Sequence, residues 1–599
     1  MTTRLLPRLS RSRSRQHALI FACAVLLVAL SAGATDLTVG WISRLPEVDY
    51  VWNSEHPDIE GWPAEDEVVT WRGHLRCWTD EDLDDVRYVW KLDGTVIAKG
   101  EVDLQQGQHA EVDISLPWSF QRRSLTLAVD VANAVAEESE SNNELTVFTD
   151  ALSVAYYVEQ SLYDFFRANQ YRLKIGSTSF ENWAQRTIER YNDMAALAVY
   201  PETPDGVFDR WRLQKIVIVP DRALPLVPLP NFGEMGGEPN AATHPNKDDR
   251  SVDLQWGFTA ELARSFSDLE TVSLANPFYS SRALLHELGH ARYLTDVYGW
   301  NLLIEPKTTI SLVEDGNLVA GSRYLPVVDG YLYKTEELGL MNAEYSYIDR
   351  YSAILLNRIA HRRAVRGNYN EPENIAEYLN DLPEKNEVTI YERSGAPVRN
   401  AVVQIFRSEG ESDHWYALNF DASPDMNLTT DANGVVELGR CPFSADGKVV
   451  HTWRHSNVLT IVRVKPEEGD ALYGVLESRV FNLAYWRGET DVARHELVVG
   501  PGGCALAEPL QFQPGYAART SAGASFSWSS VGATTYEVWV ALPGEKPKLW
   551  ASTSATSVPM GIVDGDVFWW VVAKRKGCRS SRSMTWRFRA YPRIRPARR

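Results

Sequence analysis

Leu284 to Asp296 reads LLHELGHARYLTD, and the reading of the middle of the chain turns on these thirteen residues. His286 and His290 are four apart, so on an α-helix they differ by about 40° and about 6 Å and face the same way. Two neutral imidazoles at that spacing can grip one divalent cation from the same side. Glu287 follows the first histidine, where its carboxylate can take a proton from a water on the metal. The pattern therefore points to metal-assisted hydrolysis. Ser280 or Ser281 offers a cap, and Ala283, Leu284, Leu285 and Leu288 supply an apolar face, so the segment is expected to be helical on independent grounds. Gly289 costs about 1 kcal/mol relative to Ala inside a helix, and relief of crowding near a metal is a reason to carry it. Catalytic zinc usually has three protein ligands and one open position, so a third ligand is required.

His286, Glu287 and His290 resemble the start of the metzincin signature H-E-x-x-H-x-x-G-x-x-H, whose last position is Asp in some members. The resemblance implies Asp296 as third Zn²⁺ ligand and Glu287 as catalytic base. Tyr293 stands where the signature has Gly, the residue that ends the helix and swings the last ligand back. With the helix continued through Tyr293, Asp296 would lie about 240° round from His290, out of reach of the ion. Thr295, Asp296 and Gly299 favour an early helix end. A rival arrangement draws the third ligand from Glu336, Glu337 or Glu344, as in thermolysin-like enzymes. Gly339-Leu340-Met341-Asn342 resembles the metzincin Met-turn, and the alternative for Met341 is an ordinary core side chain. Ser346 and Asp349 make a capping-box-like start to an amphipathic helix running to about Arg363. Tyr345 and Tyr347 are candidates to hydrogen-bond a developing oxyanion, with packing as the alternative.

Working outward, 44% hydrophobic and 23% charged residues over 599 positions describe an ordinary globular chain of several domains. The formal net charge of -18 argues against a nucleic-acid partner. Residues 1–34 read as a secretory signal peptide, with Arg4, Arg8, Arg11, Arg13 and Arg15 before an apolar run from Ala18 to Leu30 and an Ala32-Gly33-Ala34 cleavage site. No later stretch is apolar enough to span a membrane, so an exported protein is expected, secreted, periplasmic or attached to the cell surface.

Residues 35–150 show short strand-like runs, VVTWRGHLRCW, VRYVWKLDGTVIAKG and LTLAVDVANAV, with Asp93-Gly94 set for a hairpin. Together with the cluster ESESNNEL at Glu138–Leu145 they resemble CARDB-type immunoglobulin-like domains. Glu138, Glu140 and Glu144 are a solvated acidic turn or a Ca²⁺ site. Residues 151–370 are expected to form the metzincin-like domain, with helical spacing at 153–167 and 180–198, a cap at Thr178 or Ser179, and strands at Leu213–Val219 and Val252–Phe258. The second strand, VDLQWGF, is a candidate to pair with an extended substrate. Residues 371–499, with SGAPVRNAVVQIF and TTDANGVVEL, resemble transthyretin-like or carboxypeptidase-regulatory sandwiches. Residues 500–599, with FSWSSVGATTYEVWVAL and VFWWVVAKRKGCRSSRSMTWRF, resemble a fibronectin type III domain followed by a basic tail.

Four cysteines follow the signal, Cys77, Cys441, Cys504 and Cys578, and a disulfide between the last two is expected. The expected fold is multidomain: an α+β metzincin-like catalytic domain with one N-terminal and two C-terminal immunoglobulin-like β-sandwiches. The expected function is a secreted zinc metalloendopeptidase acting on protein or peptide substrates. The alternative is an exported adhesion protein with a non-catalytic metzincin-like domain, whose β-sandwiches bind a cell-surface or extracellular-matrix ligand.

Overall fold

The computed structural model describes residues 35–591 apart from 49–61, 174–178, 229–239, 243–250, 259–276, 304–307, 320–330, 343–346, 365–376, 409–417, 501–505, 576–579 and some stretches of one to three residues. The signal peptide, the basic tail, Cys504, Cys578, Glu138, Thr178, Tyr345, Ser346 and the rival ligands Glu336, Glu337 and Glu344 lie outside the described residues. The chain is multidomain and β-rich, and it divides into two compact units. One holds the residues up to Pro46 together with Pro63–Thr149, and the other holds Glu47–Trp62 and everything from Asp150. No helix among the described residues is long and apolar enough to cross a membrane.

Among its described residues the first unit is an immunoglobulin-like sandwich of seven strands: β1 (Asp36–Leu45), β2 (Val68–Trp78), β3 (Leu83–Leu92), β4 (Thr95–Leu104), β5 (His109–Pro117), β6 (Ser124–Val129) and β7 (Glu144–Phe148). One sheet has the order β1-β2-β5, the other β4-β3-β6-β7. Period-2 alternation drives the assembly, because Val69, Trp71, Gly73, Leu75 and Cys77 of β2 face the core while Thr70, Arg72, His74 and Arg76 face the other way. The sheets approach closely at Gly73, where an added Cβ would lie 2.1 Å from Leu127 and 3.3 Å from Trp90. Asp93 and Gly94 both have positive φ and turn β3 into β4, as the sequence leads one to expect of a two-residue Asp-Gly hairpin.

The second unit departs from the helical spacing of its first residues. Residues 153–167 are not a single helix: β8 (Leu152–Glu159) is a strand buried along its whole length, and α1 (Gln160–Leu173) follows it directly. A strand covered on both faces reads as a continuous apolar run, without the alternation that would mark it. Helix α2 (Phe180–Leu197) is capped by Ser179, whose side chain accepts from the Asn182 N–H. Strands β9 (Trp211–Val219) and β10 (Leu254–Phe258) pair in parallel with the two sides of β8, and β10 is an edge strand of that described sheet. Helix α3 (Pro277–Ala291) carries the histidines and starts before Ser280 and Ser281, so neither is its cap. Helix α4 (Arg350–Arg358) starts from Asp349, which accepts from the Ser352 N–H, and it ends short of Arg363.

Downstream, Lys385–Glu392 lies between Val435–Glu437 and Val492–Val499 in one sheet, and a four-stranded sheet built on Val402–Arg407 and Leu459–Lys465 packs against it. Their common core takes in Val403, Ile405, Phe406, Ile461 and Phe481, and also Trp300 and Leu302 from the segment that follows the histidine helix. The last module sets the sheet centred on Thr535–Ala541 and Gly565–Lys574 against that of Ser525–Trp528, around Phe526, Trp528 and Trp569. Among the described cysteines Cys77 and Cys441 are free thiols.

Candidate metal centre

Helix α3 ends at Ala291, and the chain turns sharply just after it. Tyr293 has a φ of 64°, the left-handed conformation that glycine adopts without strain and that costs other residues about 1–2 kcal/mol. The Leu294 N–H donates to the Gly289 carbonyl at 3.1 Å and the Tyr293 N–H to the His290 carbonyl at 2.9 Å, the paired bonds of a Schellman cap. Tyr293 thus makes the turn that the signature assigns to Gly. Its strain is offset by burial of the ring and by a hydroxyl that donates to the Arg363 carbonyl at 3.3 Å. Arg292, fully buried, fixes the same end of the helix. Its guanidinium pairs with Asp209, and it donates to the carbonyls of Ile359 and Arg362 at 3.1 and 2.9 Å.

The turn carries Asp296 back over the helix. Its Oδ1 lies 2.9 Å from His286 Nε2 and 3.2 Å from His290 Nε2. Bonds of about 2.0–2.1 Å to a tetrahedral zinc separate its ligands by about 3.3 Å, so these distances suit three donors around one ion. The histidine tautomers are set from behind. His286 Nδ1 donates to the Leu340 carbonyl at 2.9 Å, and His290 Nδ1 to the Leu294 carbonyl at 2.8 Å. In neutral imidazoles the lone pairs are then on the two Nε2 atoms, facing the carboxylate. Three lone-pair donors this close repel one another unless a cation stands among them. Burial works against a charge on His286, but the Asp296 carboxylate outweighs it and raises the His286 pKa to about 9. Asp296, despite burial that opposes ionisation, is held well below the usual carboxylate range by the two histidines. A proton or a metal ion between the donors satisfies the arrangement.

Exposure gives the site a direction. The side chain of His286 is 12% exposed against 3% for His290 and 1% for Asp296, so solvent approaches from the His286 side. Glu287, next in the helix, is close enough to act on the His286 charge. Met341 is fully buried beneath the helix in the turn Leu340–Asn342, and a Cβ added at Gly289 would lie 2.4 Å from its sulfur. The glycine makes room for methionine under the histidine pair. The Met341 carbonyl also accepts from the Val297 N–H at 2.8 Å, which ties that turn to the loop bearing Asp296.

Three participants carry no local sequence signal. Tyr298 stacks on His286 with centroids 6.3 Å apart and is half-buried, so it borders the open side of the site. The Thr295 N–H and Oγ both lie within hydrogen-bond distance of the Tyr378 hydroxyl, at 3.2 and 3.0 Å. His451 Nε2 donates to the backbone carbonyl of Asp296 at 3.0 Å, and its Nδ1 is 2.8 Å from Ser456 Oγ. Tyr347 has its ring under the Arg582 guanidinium, 3.8 Å from its centre, which is a packing role.

Two further groupings of metal-type ligands occur among the described residues, both in the first unit. Asp130, Glu137 and Glu140 form one, but Asn143 donates to Glu137 at 2.7 Å and to Glu140 at 3.2 Å, so N–H donors already meet these carboxylates. Of the acidic residues singled out in the sequence, Glu144 instead pairs with Lys91 at 2.7 Å. His74, His109 and Glu111 form the other grouping.

Comparison with known proteins bears on this first unit. Residues 80–147 match the CARDB family model. The chain contains a CARDB domain. A search of curated protein sequences finds no match. Among solved structures, the CARDB domain of a Pyrococcus furiosus protein in complex with di-metal ions is 18% identical, covering 20% of this chain and 93% of that one with a TM-score of 0.15. A domain of a putative cell surface protein from Methanosarcina acetivorans is 24% identical, covering 19% of this chain and 90% of that one with a TM-score of 0.14. A β-glucuronidase of glycoside hydrolase family 2 spans 88% of this chain and 61% of its own at 8% identity and a TM-score of 0.19, a likeness that transfers no activity.

Proposed function

We propose that the chain is an exported, zinc-dependent metallopeptidase whose centre is His286, His290 and Asp296, with Glu287 as general base. The observation that carries this reading is the convergence of three lone-pair donors, two with tautomers set by backbone carbonyls, around a point open on one side. Three protein ligands with a free position suit a catalytic ion better than a structural one. When bound, the ion would lower the pKa of a water at that position and polarise a substrate carbonyl. Glu287 takes the proton from the attacking water and returns it to the departing amine as the peptide bond breaks. Tyr298 flanks the approach beside His286 and helps orient the substrate. The Met341 floor and the Asp296 loop hold the ligands still.

The decisive test pairs metal analysis with hydrolysis of a quenched fluorescent peptide library. Glu287→Gln is expected to keep one zinc at this centre and lose at least about 100-fold in turnover, the scale of a missing general base. Cleavage undiminished in that variant overturns the assignment.

A second reading rests on the CARDB domain and the sandwiches downstream of the metal centre: an exported surface-binding protein whose metzincin-like part does no chemistry. Binding to a surface polymer that persists after chelation, with no hydrolysis of any library member, would favour it. Both readings place the protein outside the cytoplasm.

A further inference from the structure

The outer face of the β1-β2-β5 sheet carries a ladder of polar pairs. Thr70 faces Ser115, Arg72 faces Asp113, His74 faces Glu111 and Arg76 faces His109 in register across β2 and β5. On the other side of β2 the register with β1 slips between Val39 and Trp41, and this bulge brings Trp41 opposite His74. Without it Gly40 would take that place and the indole would turn toward the sandwich core. Trp41 lies instead beside both imidazoles, nearly parallel to each, with centroids 4.4 Å from His74 and 5.2 Å from His109. The two imidazoles are 5.0 Å apart and within 14° of parallel. The three rings thus form one compact cluster of nearly parallel aromatic groups on the solvent face of the sheet.

The indole cover explains why His74 is only 8% exposed although it projects from the solvent face. Its Nε2 is held by Ser43 Oγ at 2.8 Å, while its Nδ1 is buried without a hydrogen-bond partner and lies 3.6 Å from Glu111 Oε1. That separation is too long for a hydrogen bond and close to the spacing of two ligands on one zinc. One ligand atom from each of His74, His109 and Glu111 lies within 4.8 Å of the other two. Arg72 holds the other Glu111 oxygen at 2.7 Å and pairs with Asp113 at 2.9 Å, which points Oε1 at the histidine and leaves the trio with one net negative charge.

We propose that His74, His109 and Glu111 form a second divalent-metal site, of the zinc class, on the CARDB-bearing unit. The ion takes His74 Nδ1, a ring nitrogen of His109 and Glu111 Oε1, with Ser43 orienting His74 from its far side and solvent at the fourth position. It staples β2 to β5 on a face where the sheet is otherwise held by its ladder and by surface pairs. The site is independent of the peptidase reading.

The test is zinc stoichiometry and affinity of the full chain by equilibrium dialysis, for wild type, His109→Ala, Glu111→Gln and His286→Ala. His109 and Glu111 are exposed, so their variants keep the sandwich fold. The expected result is two zinc ions in the wild type and one in each variant, with the ion remaining in His286→Ala removed by adding His109→Ala. One ion in the wild type, lost in His109→Ala and kept in His286→Ala, supports this site and refutes the peptidase centre. Unchanged stoichiometry and affinity in His109→Ala and Glu111→Gln overturn this proposal and leave the peptidase reading standing. No zinc in the wild type overturns both.

Discussion

Tyr293 shows how one residue can break a sequence rule and keep its geometry. The metzincin-like signature has glycine there because a left-handed residue must follow the helix, and tyrosine accepts that conformation because its ring and hydroxyl are used elsewhere. The position should therefore tolerate glycine and reject β-branching. Tyr293→Gly is expected to bind zinc within about threefold of wild type, since freedom from backbone strain offsets lost packing. Tyr293→Ile should lose at least about tenfold in zinc affinity, because a β-branched residue resists positive φ and Asp296 would swing away. Competition against a chromogenic chelator measures both. Equal affinities would mean that the turn does not place the carboxylate.

At the scale of the element, α3 combines a visible pattern with an invisible neighbour. The positions of His286, Glu287 and His290 could be read directly, since a four-residue spacing on a helix has one geometric meaning. That Asp296 would reach them could not, because it depends on whether a tyrosine adopts a glycine conformation. Relief of crowding is legible at Gly289, but the crowding group is not: it is the Met341 sulfur beneath the helix. Gly289→Ala should destabilise the unit by about 1–3 kcal/mol, the usual cost of overpacking, and weaken zinc binding. Adding Met341→Ala should restore part of the loss in thermal melts, the non-additivity of a direct contact. Strand β8 resembles a helix in sequence for a reason of the same kind: full burial on both faces removes the alternation by which a strand is recognised, leaving aromatic and apolar residues that also suit a helix. The sandwiches declared themselves more plainly, through turn residues such as Asp93-Gly94 and through exposed edges that restore alternation.

Across the whole molecule, links distant in sequence hold the centre. His451 is 155 residues beyond Asp296 and grips its carbonyl, a distance over which no motif spacing operates. His451→Leu should weaken zinc binding about 10–100-fold, as loss of a residue positioning a ligand does, while His451→Gln recovers most of it by supplying an amide donor. Unchanged affinity in His451→Leu would make the contact incidental. Glu202 makes a long link of another kind, accepting from both Arg350 and Arg487. Hydrogen bonds from Arg350, with burial opposing and Arg487 assisting, hold its pKa at about 2 rather than 4.5. A carboxylate depressed on folding contributes its full stability above about pH 4.5, and that contribution is lost as the pH falls toward 2. Glu202→Gln should thus melt below wild type at pH 6, with the gap closing between pH 4.5 and 2; a gap that persists at pH 2 would point to packing and not charge. Trp300 and Leu302 leave the histidine-bearing segment to complete the core of the downstream sandwich. Domain shuffling that replaced residues 385–499 with a cousin's module would strand both side chains and remove the histidine from Asp296. The two stretches must be inherited as a pair, and the true recombination seams of this half of the chain fall outside the boundaries its repeating sandwiches suggest.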